Sequence, residues 1–162
     1  MRVFTTSAIF VVVAFVVLSS FAAPQDERGN TTGPMSHEAY DQAIAPYVAK
    51  ARATYPAAKK RYLAGLPPNY QFFVWTRLYQ SGGKGQRGRA EDIFIDVHTI
   101  KDGLIYGVIA NTPVFVTNYR QGESVKFPES KVMNWVIVRP NGTEEGNYVG
   151  KFLDDWKKSH YV

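Results

Sequence analysis

Cysteine is absent from the 162-residue chain. Its absence removes disulfides, thiolate metal sites and cysteine nucleophiles together, and leaves the hydrophobic core to hold the fold alone. Histidine is scarce: there are only His37, His98 and His160. None stands in a His-x-x-x-His or His-Glu-x-x-His spacing that would set two ligands on one helix face, so neither a dedicated metal site nor any other cofactor is expected. Ser81, Ser124 and Ser130 all lie outside a Gly-x-Ser-x-Gly elbow, which argues against a serine hydrolase. Long apolar runs are missing too. The longest, Ala8 to Leu18, falls short of the ~20 residues that a membrane-spanning helix needs.

That run has a different use. It follows Met1-Arg2, a short positive start, and precedes Ser20-Phe21-Ala22, with small residues where signal peptidase reads them. Residues 1–22 are therefore expected to be a signal peptide cut after Ala22. A cut after Ala23 would leave Pro24 next to the scissile bond. The competing reading is a retained membrane anchor. Without cysteine there is no lipid-attachment site, so the processed protein is expected to be periplasmic or secreted, with no stable membrane insertion after cleavage. Residues 23–35 are polar and lack apolar periodicity, as in a flexible tether. Residues 36–162 form one domain-sized stretch, and the 45% hydrophobic and 14% aromatic content fits a folded globule. The net charge of +5 points toward an acidic protein partner or weak contact with an anionic envelope surface, and away from nucleic acid, which is scarce outside the cell. A charge of this size also serves solubility alone.

Ser36 followed by Glu38 reads as a helix start, and Ile44, Tyr47, Val48, Ala51 and Tyr55 recur at helical spacing. Pro56 suggests a break and a second helix reaching Ala64, with Gly65 at its close. From Tyr70 the pattern alternates. Strands are expected at Tyr70–Tyr79, Ile93–Ile100, Leu104–Ile109, Ser124–Phe127 and Met133–Val138, with Asp102-Gly103 and Asn141-Gly142 as tight turns. The first three strands would form an antiparallel meander. The expected fold class is α+β: N-terminal helices packed on a small, strongly bent antiparallel sheet of about five strands, in the manner of an SH3-like open barrel.

Two groups of residues carry candidate chemistry. Asp96 and His98, two apart on one strand, share a face opposite Ile95 and Val97 and form the most suggestive acid/base pair in the chain. Simple solvent exposure is the competing reading. Lys84, Arg87 and Arg89 lie in the Gly-rich segment Ser81–Arg89. That segment is no phosphate-binding loop, because Gly85 follows Lys84 where Ser or Thr is required. It reads either as a cationic finger for an acidic partner or as a plain hairpin tip. Glu144-Glu145 and Asp154-Asp155 read as solvated charge.

The segments Gly107–Pro113, Gly122-Glu123, Pro128–Val132, Asn134-Trp135 and Gly146-Asn147-Tyr148, with the helix Ala49–Pro68 and the strand Phe94–Val97, resemble the YegJ-like family of small bacterial proteins of unknown function. The resemblance covers about residues 45–155. It departs at Asn134, where that family usually has Asp, and at Phe152–Lys158, which reads as helix where the family pattern suggests strand. It implies no reaction. Small domains with the same glycine, asparagine, proline and tryptophan pattern are similar to immunity proteins that neutralise bacterial toxins. As physical parts, Asn111, Pro113 and Gly122 suit turns, and Trp135 suits a buried anchor. The combined expectation is a non-enzymatic, exported binding domain with an unidentified protein partner. An immunity-type inhibitor and an envelope enzyme using Asp96 and His98 are the alternatives.

Overall fold

The computed structural model describes residues 36–80 and 89–160. The expected signal peptide, the tether, Lys84 and Arg87 lie outside the described residues. Helix α1 spans His37–Leu63 and is capped by Ser36, whose Oγ accepts from the Ala39 N–H at 3.2 Å. The strands are β1 (Gln71–Tyr79), β2 (Ala90–Lys101), β3 (Leu104–Ile109), β4 (Ser124–Pro128), β5 (Asn134–Val138) and β6 (Glu144–Gly146), and helix α2 covers Tyr148–His160. They build an α+β fold with one open antiparallel sheet in the order β4-β3-β2-β1-β5-β6. The meander β1–β2–β3 is present, and Asp102 (φ 53°) and Gly103 (φ 72°) make its second turn. Both φ values are positive, as a two-residue hairpin turn of the right twist demands.

Two expectations need correction. The helix does not break at Pro56: α1 runs through both Pro46 and Pro56 as one 27-residue element. Each proline removes one backbone hydrogen bond, at ~3 kcal/mol in a helix interior. Both lie on the exposed side of the helix, where water can take the freed carbonyl. The buried side is tied down around Pro56. Tyr55 Oη donates to Glu129 at 3.0 Å, and the Trp135 indole N–H donates to the Ala51 carbonyl at 3.1 Å. Tertiary packing therefore outweighs the local break. The sheet also has a sixth strand, because the Asn141-Gly142 turn returns Glu144–Gly146 alongside β5. Glu144 and Glu145 accordingly are not free solvated charge. Glu144 accepts from the Asn147 amide at 2.6 Å, and Glu145 pairs with Arg61 and Arg139.

The strand order requires a strong bend. In a flat sheet β4 and β5 would lie about 19 Å apart, four spacings of about 4.8 Å. Only Glu129–Met133 joins them, and Glu129–Lys131 is wound as a 3-10 turn; such a segment reaches about 16 Å. The bend brings the strand ends together. The crossing segment is pinned to the β2–β3 turn by the Glu129 N–H on the Gly103 carbonyl (2.9 Å) and to β1 by the Met133 N–H on the Trp75 carbonyl (2.8 Å). The two sheet faces carry separate cores. Phe72, Val74, Ile95, Ile105, Phe127, Val132 and Trp135 pack with Ala51, Tyr55 and Ala58 of α1. On the other face Trp75 packs with Ile44 of α1 and with Val149 and Leu153 of α2.

Candidate functional site

The β1–β2 ladder runs from Tyr79 opposite Ala90 to Phe73 opposite Asp96 and stops there. Below that point, among the described residues, Gln71 and Phe72 pair with β5 alone, and Val97 and Thr99 to Lys101 with β3 alone. The strands part. Tyr62, in the last turn of α1, enters the gap: its ring lies against Phe72 with centroids 5.0 Å apart, and its hydroxyl donates to the Val97 carbonyl at 3.0 Å. That bond occupies a carbonyl beyond the last β1–β2 pair. The result is a cleft of about 530 Å³ whose walls include Tyr62, Leu63, Leu66, Tyr70, Asp96, His98 and Ile100.

Asp96 and His98 both line this cleft, but not through simple strand alternation. Val97 pairs with Gly107 and Thr99 with Tyr106, so His98 is the extra residue of a β-bulge. The inward positions run Ile95, Val97 and then Ile100, leaving His98 and Thr99 exposed together. A tight contact adjoins the bulge: a Cβ on Gly107 would lie 2.1 Å from the Asp96 carbonyl oxygen. The Asp96 side chain is half-buried. Burial raises its pKa above the ordinary carboxylate value, and the neighbouring His98 partly offsets the rise. Burial likewise raises the Tyr62 phenol, with a further push from the Asp96 carboxylate. Among the described residues no hydrogen bond joins Asp96 to His98.

Arg89 is exposed at the far end of β1 and β2, where its carbonyl accepts from the Gln80 N–H at 2.8 Å; the structure does not bring it to Asp96 and His98. Asn111 ties the loop after β3 to β2, its Oδ1 accepting from the Phe94 N–H at 2.9 Å, while Pro113 is half-buried in that loop. Gly122 has φ +81° in the turn before β4. Asn134 is fully buried and donates to Asn147 Oδ1 at 2.9 Å, and among the described residues its own Oδ1 has no partner. Trp135 is 4% exposed. Among the described residues no group of three or more His, Asp and Glu stands close enough to hold a metal ion.

The family described as "Uncharacterized protein conserved in bacteria (DUF2314)" matches residues 39–158. The chain belongs to this family. No curated protein and no solved structure matches it. The DUF2314 match takes in most of α1, the six described strands and most of α2, so the cleft lies wholly within it. Sequence reasoning located Asp96 and His98 but missed Tyr62, Leu63, Leu66 and Tyr70. The signal available for them was Leu66-Pro67-Pro68-Asn69-Tyr70, a rigid return after a helix that holds two apolar side chains close to the helix end.

Proposed function

We propose that this DUF2314 domain is an exported, non-enzymatic binding domain that recognises its partner at the cleft between the end of α1 and the parted strands β1 and β2. The parting of the ladder below Phe73 and Asp96 carries the reading. It creates a concave, mixed apolar and polar surface, the usual form of a recognition site. Leu63 adds an apolar side chain 56% exposed at its rim. Export rests on the N-terminal sequence: a positive start, the Ala8–Leu18 run and small residues before the cut. The resemblance to YegJ-like proteins, and through them to immunity-type domains, makes a protein toxin one class of partner to seek.

A pull-down from an envelope extract tests the reading, with wild type beside Leu63→Glu and beside a triple Ala variant at Lys84, Arg87 and Arg89. Leu63 is exposed, so its substitution spares the core. A stoichiometric partner retained by wild type and by the triple variant but lost with Leu63→Glu is the expected result. A partner that ignores Leu63→Glu and needs the three cations would move recognition to the basic segment and overturn the cleft.

A further inference from the structure

Carboxylates in the described structure follow a rule with one exception. Glu91, Asp92, Glu129, Glu144 and Glu145 are all partly buried, and all have partners. Glu91 accepts the N–H groups of Val114, Phe115 and Val116; Asp92 accepts from Arg77 and Tyr40. Glu129 accepts from Lys59 and Tyr55, Glu144 from Asn147, and Glu145 from Arg61 and Arg139. Asp96 is the sixth partly buried carboxylate, and among the described residues its side chain accepts no hydrogen bond. Asp96 is half-buried, so it keeps part of its contact with water but gains no donor among the described residues for the part it loses, which is unfavourable. A donor arriving with a ligand at the wall of the cleft would offset that cost.

The surroundings select the donor. Tyr62 and Tyr70 supply aromatic walls and Leu63, Leu66 and Ile100 apolar ones, and among the described lining residues Asp96 is the one carboxylate, with His98 as its titratable neighbour. An ammonium ion supplies three donors and a charge opposite to Asp96, and it is attracted to tyrosine ring faces. The fold already uses that contact elsewhere, with Lys50 Nζ 4.8 Å from the Tyr148 ring centroid. We infer that the cleft binds a protonated alkylamine, its ammonium group on the Asp96 carboxylate and its apolar stem along Tyr62, Leu66 and Ile100.

This inference rests on the cleft being the recognition site, and the test separates the two. The full processed chain, isotopically labelled, is titrated with n-butylammonium, n-butanol and butyrate, followed by backbone amide shifts. Butylammonium is expected to shift Tyr62, Asp96, His98 and Thr99 saturably, with butanol and butyrate binding about tenfold more weakly or not at all. Asp96→Asn should remove the preference for the amine while leaving the rest of the spectrum in place. Nα-acetyl-lysine N-methylamide separates the sources: binding well above butylammonium identifies a lysine side chain on a protein, and equal binding a free amine. Equal shifts from butanol or butyrate would overturn the amine and keep the cleft as a binding site. No shift from any probe would overturn the inference, and the pull-down with Leu63→Glu would then judge the cleft by itself.

Discussion

Trp135→Ala removes the side chain that joins the helix to the sheet, and the structure supplies the size of the effect. Trp135 is 4% exposed on β5. Its indole N–H is shared between the Ala51 carbonyl (3.1 Å) and Thr54 Oγ1 (3.0 Å) of α1, and its ring meets Tyr148 edge-on at 6.0 Å. Gly146 packs so closely beneath it that a Cβ there would lie 2.7 Å from the ring. Truncating such a residue costs ~3–5 kcal/mol, from lost burial and the cavity left behind. Trp135→Phe keeps an aromatic ring but loses the donor, and should cost ~1–2 kcal/mol. For a folded region of roughly 125 residues the unfolding entropy is ~0.26 kcal/mol/K, so the expected falls in melting temperature are ~11–19 °C for Ala and ~4–8 °C for Phe. Thermal unfolding followed by circular dichroism measures both. Gly146→Ala should destabilise too, since its Cβ would lie 2.5 Å from the Trp135 carbonyl oxygen as well as 2.7 Å from the ring, at a φ of +80°; in the double variant Trp135→Ala removes only the ring contact, so most of the Gly146→Ala cost should remain. An Ala variant that melts within ~2 °C of wild type would refute the assignment of Trp135 as the clasp between α1 and the sheet.

Asp96→Asn should raise thermal stability at neutral pH. The folded carboxyl holds its proton more tightly than the unfolded one, because burial lifts its pKa above the ordinary 3.8. Stability therefore falls as pH rises from the unfolded value through the folded one, and the penalty is complete above both. The advantage of Asn should shrink as pH falls through that interval and vanish below it; paired melts across pH 3 to 7 check the trend, and a variant less stable at pH 7 would contradict it. Arg77→Ala should cost ~3–5 kcal/mol in chemical denaturation, since Asp92, its side chain 10% exposed, would lose a two-bond partner at 2.6 and 2.9 Å. Glu129→Ala should cost more than Tyr55→Phe, because the first leaves the buried Tyr55 hydroxyl and Lys59 unpaired whereas the second removes a donor and leaves Lys59 on Glu129 at 2.7 Å. Parallel denaturant midpoints decide between these two. Gly107→Ala should abolish stable folding, as its Cβ would fall 2.1 Å from the Asp96 carbonyl oxygen; a soluble variant with a wild-type melt would contradict the tight β2–β3 approach.

Much of the fold was legible from local pattern. Alternating apolar residues marked five strands, Asp102-Gly103 marked a turn, and Ser36 marked the start of α1, because period, backbone conformation and capping are set by neighbours in sequence. The three-residue strand β6 was too short to carry a period, and its two glutamates read as solvated charge until β5 and Arg61 lay beside them. Pro56 shows the limit from the other side. Its local preference to end a helix was overruled by the bonds of Tyr55 to Glu129 and of Trp135 to the Ala51 carbonyl, which span 74 and 84 residues of chain. The cleft is the clearest case of a tertiary decision. Asp96 and His98 were visible as a pair, but the bulge that sets their directions depends on the pairing of β2 with β3, and the gap beside them depends on Tyr62 arriving from the end of a helix. Sequence by itself determined the elements and their composition, since those are local free energies. Where strands part and which carboxylate is left without a donor was decided only when distant segments packed together.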